Sequence, residues 1–158
     1  MEDSLWSALQ ALPPAEWLRR STLAYLLVNA AHIAGLGMLL GSIITLDLRL
    51  LGLLRQAPLQ PLAQVLSRTA AGGLVFAIIT GTWLFLVNAP EYVGNNAFLS
   101  KLLLVSLAVA NATFLHSRRH WALALQEGQP NLPVRIHALL SLLLWPAALV
   151  AGRWIGFL

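Results

Sequence analysis

Four stretches of this chain, 21–46, 70–87, 98–116 and 136–157, are apolar over close to the length that crosses a bilayer, about 20 residues at 1.5 Å rise each. Hydrocarbon offers no water to an exposed peptide group, so each stretch has to satisfy its own backbone as a helix. The fold class that follows is all-α, a four-helix transmembrane bundle. Composition agrees: 10 % of residues are charged and 58 % hydrophobic, against about 25 % and 45–50 % in soluble domains. With 158 residues the chain has room for one such domain and no separate soluble catalytic module.

The absence of cysteine removes disulfides, iron–sulfur clusters, thiolate zinc sites and covalently attached haem together. A net charge of +4 does not point to nucleic acid, because most arginines flank apolar segments, where they meet phospholipid headgroups. The expected partner is the lipid bilayer. Residues 1–20 read as an interfacial N-terminal segment and 21–158 as the transmembrane domain. Within the first segment Leu5, Trp6, Leu9 and Leu12 share one helical face, and Pro13-Pro14 is expected to stop that helix. It has neither a basic start nor a continuous apolar core, so it reads as a helix lying in the interface, with the first span as an uncleaved anchor.

The first apolar run continues as Asp47-Leu-Arg49-Leu-Leu-Gly52, so its helix is expected to overrun the membrane or tilt. Arg49, Arg55, Arg68, Arg118, Arg119 and Arg135 lie near one side, and Arg19, Arg20, Lys101 and Arg153 near the other. The basic side tends to face the cytoplasm. That bias predicts that both ends of the chain lie outside the cytoplasm.

His32 is the most informative single residue. It sits in the middle of the first span with no charged residue within eleven positions on either side, and an ionisable group at such depth is by default functional. Neutral imidazole is the commonest metal ligand, although a hydrogen bond to a neighbouring helix would also satisfy it. At 100° per residue, Tyr25, Asn29, His32, Leu36, Leu39, Ile43 and Asp47 fall on one face. Gly35, one turn on, has two readings: close helix packing, or space for a flat macrocycle beside a ligating histidine. Gly37 and Gly41 form a small-x-x-x-small pair suited to packing.

Depth sorts the remaining candidates into two levels. Lys101 opens the third span on the same side as His32, while His116 closes it level with His137 at the start of the fourth. Lys101 to His116 is roughly 22 Å of helix rise, too far for one small site. The expected pairs are therefore His32 with Lys101, and His116 with His137. Each has a plainer reading as a snorkelling lysine or as interfacial histidines; His120 reads as solvated. The metal-ligand reading takes His32, His116 and His137 as ligands.

The order Asn29-Ala-Ala-His32-Ile-Ala-Gly35, then Asp47-Leu-Arg49, Thr80-Gly81-Thr-Trp83-Leu-Phe85, Phe98-Leu-Ser-Lys101 and Ser141 to Trp145 with Gly152-Arg153 resembles a family of bacterial four-helix membrane proteins. More distantly it is similar to the HemJ-type protoporphyrinogen oxidases and the CopD-like membrane domains. His32, Arg49, Gly81-Thr-Trp83-Leu and Lys101 match the HemJ pattern in order, whereas Gly152-Arg153-Trp154 stands where that type has Lys-Pro-Phe. The resemblance implies haem b, one or two per chain, with His32 as axial ligand. Arg49, Arg153 and Lys101 would pair with its propionates. The expected work is electron transfer to or from a quinone or a small donor. The alternatives are oxidation of a porphyrin substrate, as in the HemJ type, and a non-redox transport or structural role. A homodimer is compatible with either. Copper transport is disfavoured by two methionines and no cysteine, since soft sulfur ligands select Cu(I).

Overall fold

The computed structural model describes residues 12–157. All regular structure among them is helical: α1 (Pro13–Arg20), α2 (Thr22–Leu51), α3 (Leu59–Val87), α4 (Ala89–Gly94), α5 (Asn96–Ser117), α6 (Arg119–Glu127) and α7 (Leu132–Trp154), followed by a 3₁₀ turn (Ile155–Phe157). The helices α2, α3, α5 and α7, the last with its 3₁₀ turn, are long and apolar enough to cross a membrane. Their outward faces carry large apolar side chains such as Leu23, Leu103 and Leu143, each more than 60 % exposed. An aqueous surface would not tolerate a belt of that extent, and the chain is a multi-pass membrane-type bundle.

Local chemistry sets the helix ends. Ser21 caps α2 by accepting from Ala24 N. Asn95 caps α5 by accepting from Ala97 N and Phe98 N, and Asn131 caps α7 by accepting from Val134 N. Gly52 ends α2 at φ +96°, a left-handed conformation that favours glycine. At 30 residues α2 is about 45 Å long, longer than the hydrocarbon layer, as the run through Leu51 implied. Pro146 lies inside α7 without ending it.

Pro13-Pro14 starts a helix. Proline is tolerated in the first turn, where its missing N–H would have no partner, and α1 runs from Pro13 to Arg20. The interfacial helix expected over 3–12 falls, Leu12 apart, outside the described residues. Trp83 Nε1 ties α1 to the bundle by donating to the Pro14 carbonyl at 3.1 Å, and Trp17 stacks on Trp83 with ring centroids 5.9 Å apart.

The four long helices form two hairpin-like pairs, α2 with α3 and α5 with α7, joined through α2 and α7. Glycine makes the first pair close. A Cβ at Gly73 would stand 2.7 Å from Leu39 N and 2.9 Å from the Gly35 carbonyl, and one at Gly35 would stand 3.1 Å from Ala77 N. Gly35 therefore packs helices and does not open space for a macrocycle. A Cβ at Gly37 or Gly41 would meet no described residue within 4 Å, so neither glycine seats another helix of this chain. Helices α3 and α5 are not among the closely packed pairs.

The core lies toward the end of the bundle where α6 sits. Leu46, Leu50, Leu59, Leu115, Trp121 and Val134 are buried together there. A smaller cluster of Leu39, Ala70, Ala108 and Trp145 fills the middle. Beyond it, toward α1 and α4, the four helices part.

Candidate functional site: a chamber around His32

Where the helices part they enclose a cavity of about 700 Å³, within the usual size of a cofactor or small-molecule site. Its lining comes from every spanning helix: Asn29, His32, Leu36 and Leu39 of α2, Leu74, Ala77, Gly81 and Phe85 of α3, Phe98, Lys101 and Val105 of α5, and Trp145, Ala148, Gly152 and Arg153 of α7. Most of these side chains are apolar, and Trp145 and Leu39 close the inner floor. The stacked rings of Phe85 and Phe98, with centroids 5.5 Å apart, and Tyr92 at 5.4 Å from Phe98 stand at the other end.

His32 and Lys101 line one chamber. The His32 ring is held by α3. Its Nδ1 is 3.1 Å from Thr80 Oγ1, and the Thr80 hydroxyl lies 2.7 Å from the Phe76 carbonyl, to which it donates. A hydroxyl has one proton. With that proton on the Phe76 carbonyl, Thr80 Oγ1 is placed to accept from Nδ1, and in that tautomer Nε2 would keep its lone pair. A histidine ligand is ordinarily fixed in this way, its second nitrogen donating to a neighbouring oxygen.

Two glycines make room for the two basic groups. A Cβ at Gly81 would stand 2.9 Å from His32 Cε1, so the ring occupies space that any other residue would fill. A Cβ at Gly152 would stand 3.2 Å from Lys101 Cδ and 3.5 Å from Nζ, so the lysine stem lies along α7 at that gap. Both glycines were visible as parts of short motifs. Thr80 was visible too, but only the tertiary contact reveals it as the partner of His32.

The other sequence candidates divide between this chamber and the far end of the bundle. Arg153 lines the chamber, with its guanidinium 5.4 Å from the Phe157 ring centroid. Arg49 does not line it. It is buried at the far end of α2, donating from Nε to the Ala57 carbonyl at 2.7 Å and from a terminal nitrogen to the Gly128 carbonyl at 3.4 Å. It ties together the loops after α2 and α6. Asp47, 5 % exposed, lies beside Ser141 and belongs to the α2–α7 contact.

The two inner histidines have separate surroundings. His116 Nδ1 donates to the Ala112 carbonyl at 2.8 Å, and its Nε2 is 3.4 Å from Ser67 Oγ on α3. His137 Nδ1 donates to Asn111 Oδ1 at 2.6 Å while Asn111 Nδ2 donates to the His137 carbonyl at 3.0 Å. The His116 ring lies tilted against Trp121, and the His137 ring tilted against Phe114. No hydrogen bond or ring contact joins the two among the described residues. Nor do three or more His, Asp or Glu side chains gather into a metal-holding group among them.

Compared with known proteins, the chain matches no family model, and no curated protein or solved structure matches it.

Proposed function

We propose that the chamber holds haem b, with His32 as its axial ligand. The chain would then be a membrane redox protein exchanging electrons with a lipid-soluble quinone or another small donor. The observation that carries this reading is the placement of His32, an imidazole whose Nδ1 is held by Thr80 on the wall of a largely apolar cavity. One histidine is a poor site for a bare ion. It suits an iron that arrives with equatorial ligands of its own and needs one or two from the protein.

The lining residues fit such a group. Gly81 leaves the ring its place, the apolar walls exclude water, and Lys101 and Arg153 offer positive charge to carboxylates. When bound, haem b supplies one-electron chemistry, which this chain's own groups do not. The protein's part is to orient the ligand through Thr80, keep the chamber dry, and set local charge through Lys101. The loosely packed α3–α5 side offers a route from the lipid. The resemblance to the HemJ type points to the same His32 and Lys101. Lys101 and Arg153 also support a second reading, in which a porphyrin with its carboxylates is the substrate. The same proposal puts the chamber in the outer half of a bacterial inner membrane.

The test is the absorption spectrum of detergent-purified protein, oxidised and dithionite-reduced, with haem quantified per chain. His32→Ala is expected to remove most of the bound haem while the chain still inserts, because no span depends on that side chain. Full haem retention in the variant would refute the assignment.

A further inference from the structure

The end of the bundle opposite the chamber has a second cavity, of about 300 Å³, lined by Phe114, Leu115, Arg118, His120, Pro133 and His137. Three nitrogen-bearing side chains meet around it, and no lining residue is acidic. Arg118 has no carboxylate partner among the described residues. Its guanidinium lies 3.9 Å from the Phe114 ring centroid. Stacking by the face fixes the plane of an arginine while its edge N–H groups stay free to donate. His137 Nδ1 is engaged by Asn111, which sets the ring and leaves Nε2 without a hydrogen-bond partner among the described residues. The exposed Arg119 and Arg135 flank the site, and the cavity sits where two spanning helices leave the apolar layer.

We propose that this cavity is an anion site for a phosphate group, and that the group it takes is the headgroup of an anionic phospholipid. An arginine edge matches phosphate oxygens in a way a point charge does not. Basic pockets between spanning helices at a membrane surface are a recurring means of holding such headgroups. The acyl chains would lie along the apolar outer faces of α5 and α7, beside Leu107 and Leu140, both exposed. This reading takes His120 and His137 from the roles of solvated residue and iron ligand and gives them one function together. It does not depend on what the chamber holds.

The test is native mass spectrometry of the full chain, delipidated in detergent and then offered phosphatidylglycerol or phosphatidylcholine, with inorganic phosphate as competitor. Wild-type protein is expected to retain phosphatidylglycerol selectively, and Arg118→Gln with His120→Gln to lower that retention about tenfold. Arg118→Lys, which keeps the charge and loses the fork, should fall between. Retention that inorganic phosphate cannot displace supports the lipid as the source. Displacement by inorganic phosphate, with the same dependence on Arg118, supports the anion site and makes free phosphate its ligand. Equal retention of both lipids, or a double variant that binds like wild type, would overturn the proposal. His120→Gln alone changes an exposed side chain, so it keeps the test decisive if the Arg118 variants fold poorly.

Discussion

Gly81→Ala puts one methyl group where the His32 ring stands. The added Cβ would be 2.9 Å from His32 Cε1, and comfortable carbon–carbon separation is about 3.5–4.0 Å, so the ring has to retreat by about 0.6–1 Å. Its retreat is away from α3, which also carries Thr80. The 3.1 Å Nδ1–Oγ1 hydrogen bond then stretches beyond about 3.6 Å, where it no longer counts as one. Losing the group that orients a ligating histidine typically costs about 10–100-fold in metal affinity, or about 1.4–2.7 kcal/mol. Haem titration into apoprotein in nanodiscs, followed by difference absorption, should show that loss in Gly81→Ala. Gly72→Ala on the same helix is the control, because a Cβ there would meet nothing within 4 Å; it should bind haem as wild type does. Unchanged affinity in Gly81→Ala, or an equal loss in Gly72→Ala, would refute the argument that this glycine exists to seat His32.

Three further outcomes are expected. Gly73→Ala drives a methyl group into the α2 backbone at Leu39 N and the Gly35 carbonyl, which cannot swing aside as a side chain could. It should destabilise the bundle by about 1–3 kcal/mol in a reversible denaturant titration. Arg49→Met removes a buried guanidinium from the Ala57 and Gly128 carbonyls, at a cost of about 2–3 kcal/mol. It should speed proteolysis of the loops after α2 and α6 and leave the chamber's ligand affinity unchanged, since His32 lies about 25 Å of helix rise away. Tyr92, in α4 outside the spans, has its phenol pushed above the usual tyrosine range, chiefly by burial and then by Tyr25 and Glu91. The unfolded chain therefore ionises there first, and stability falls as pH rises through about 10. Thermal unfolding between about pH 9 and 11 should show part of that loss, and Tyr92→Phe should remove it.

The sequence by itself determined the number and type of the spanning elements, because hydrocarbon leaves an apolar run of bilayer length one way to satisfy its backbone. It also singled out His32, since a deep ionisable group is costly in any arrangement, and it set His32 and Lys101 at one depth by counting helix rise. Those inferences needed only one helix at a time. Partner, face and orientation depend on what stands across the gap, and only the tertiary structure decided them. Gly35, Gly37 and Gly41 look alike as residue types; Gly35 meets Gly73 at a helix crossing while the other two meet open space. Arg49 and Arg153 both read as candidates for carboxylate binding, yet one ties two loops together at the far end and the other lines the chamber. His116 and His137 share a depth, but their rings engage Ser67 and Asn111, neighbours that the register of helix packing selects. Thr80 became the partner of His32 by the same means. A hydroxyl that donates to its own helix has one role left, to accept, and which group it accepts from is set by where α2 crosses α3.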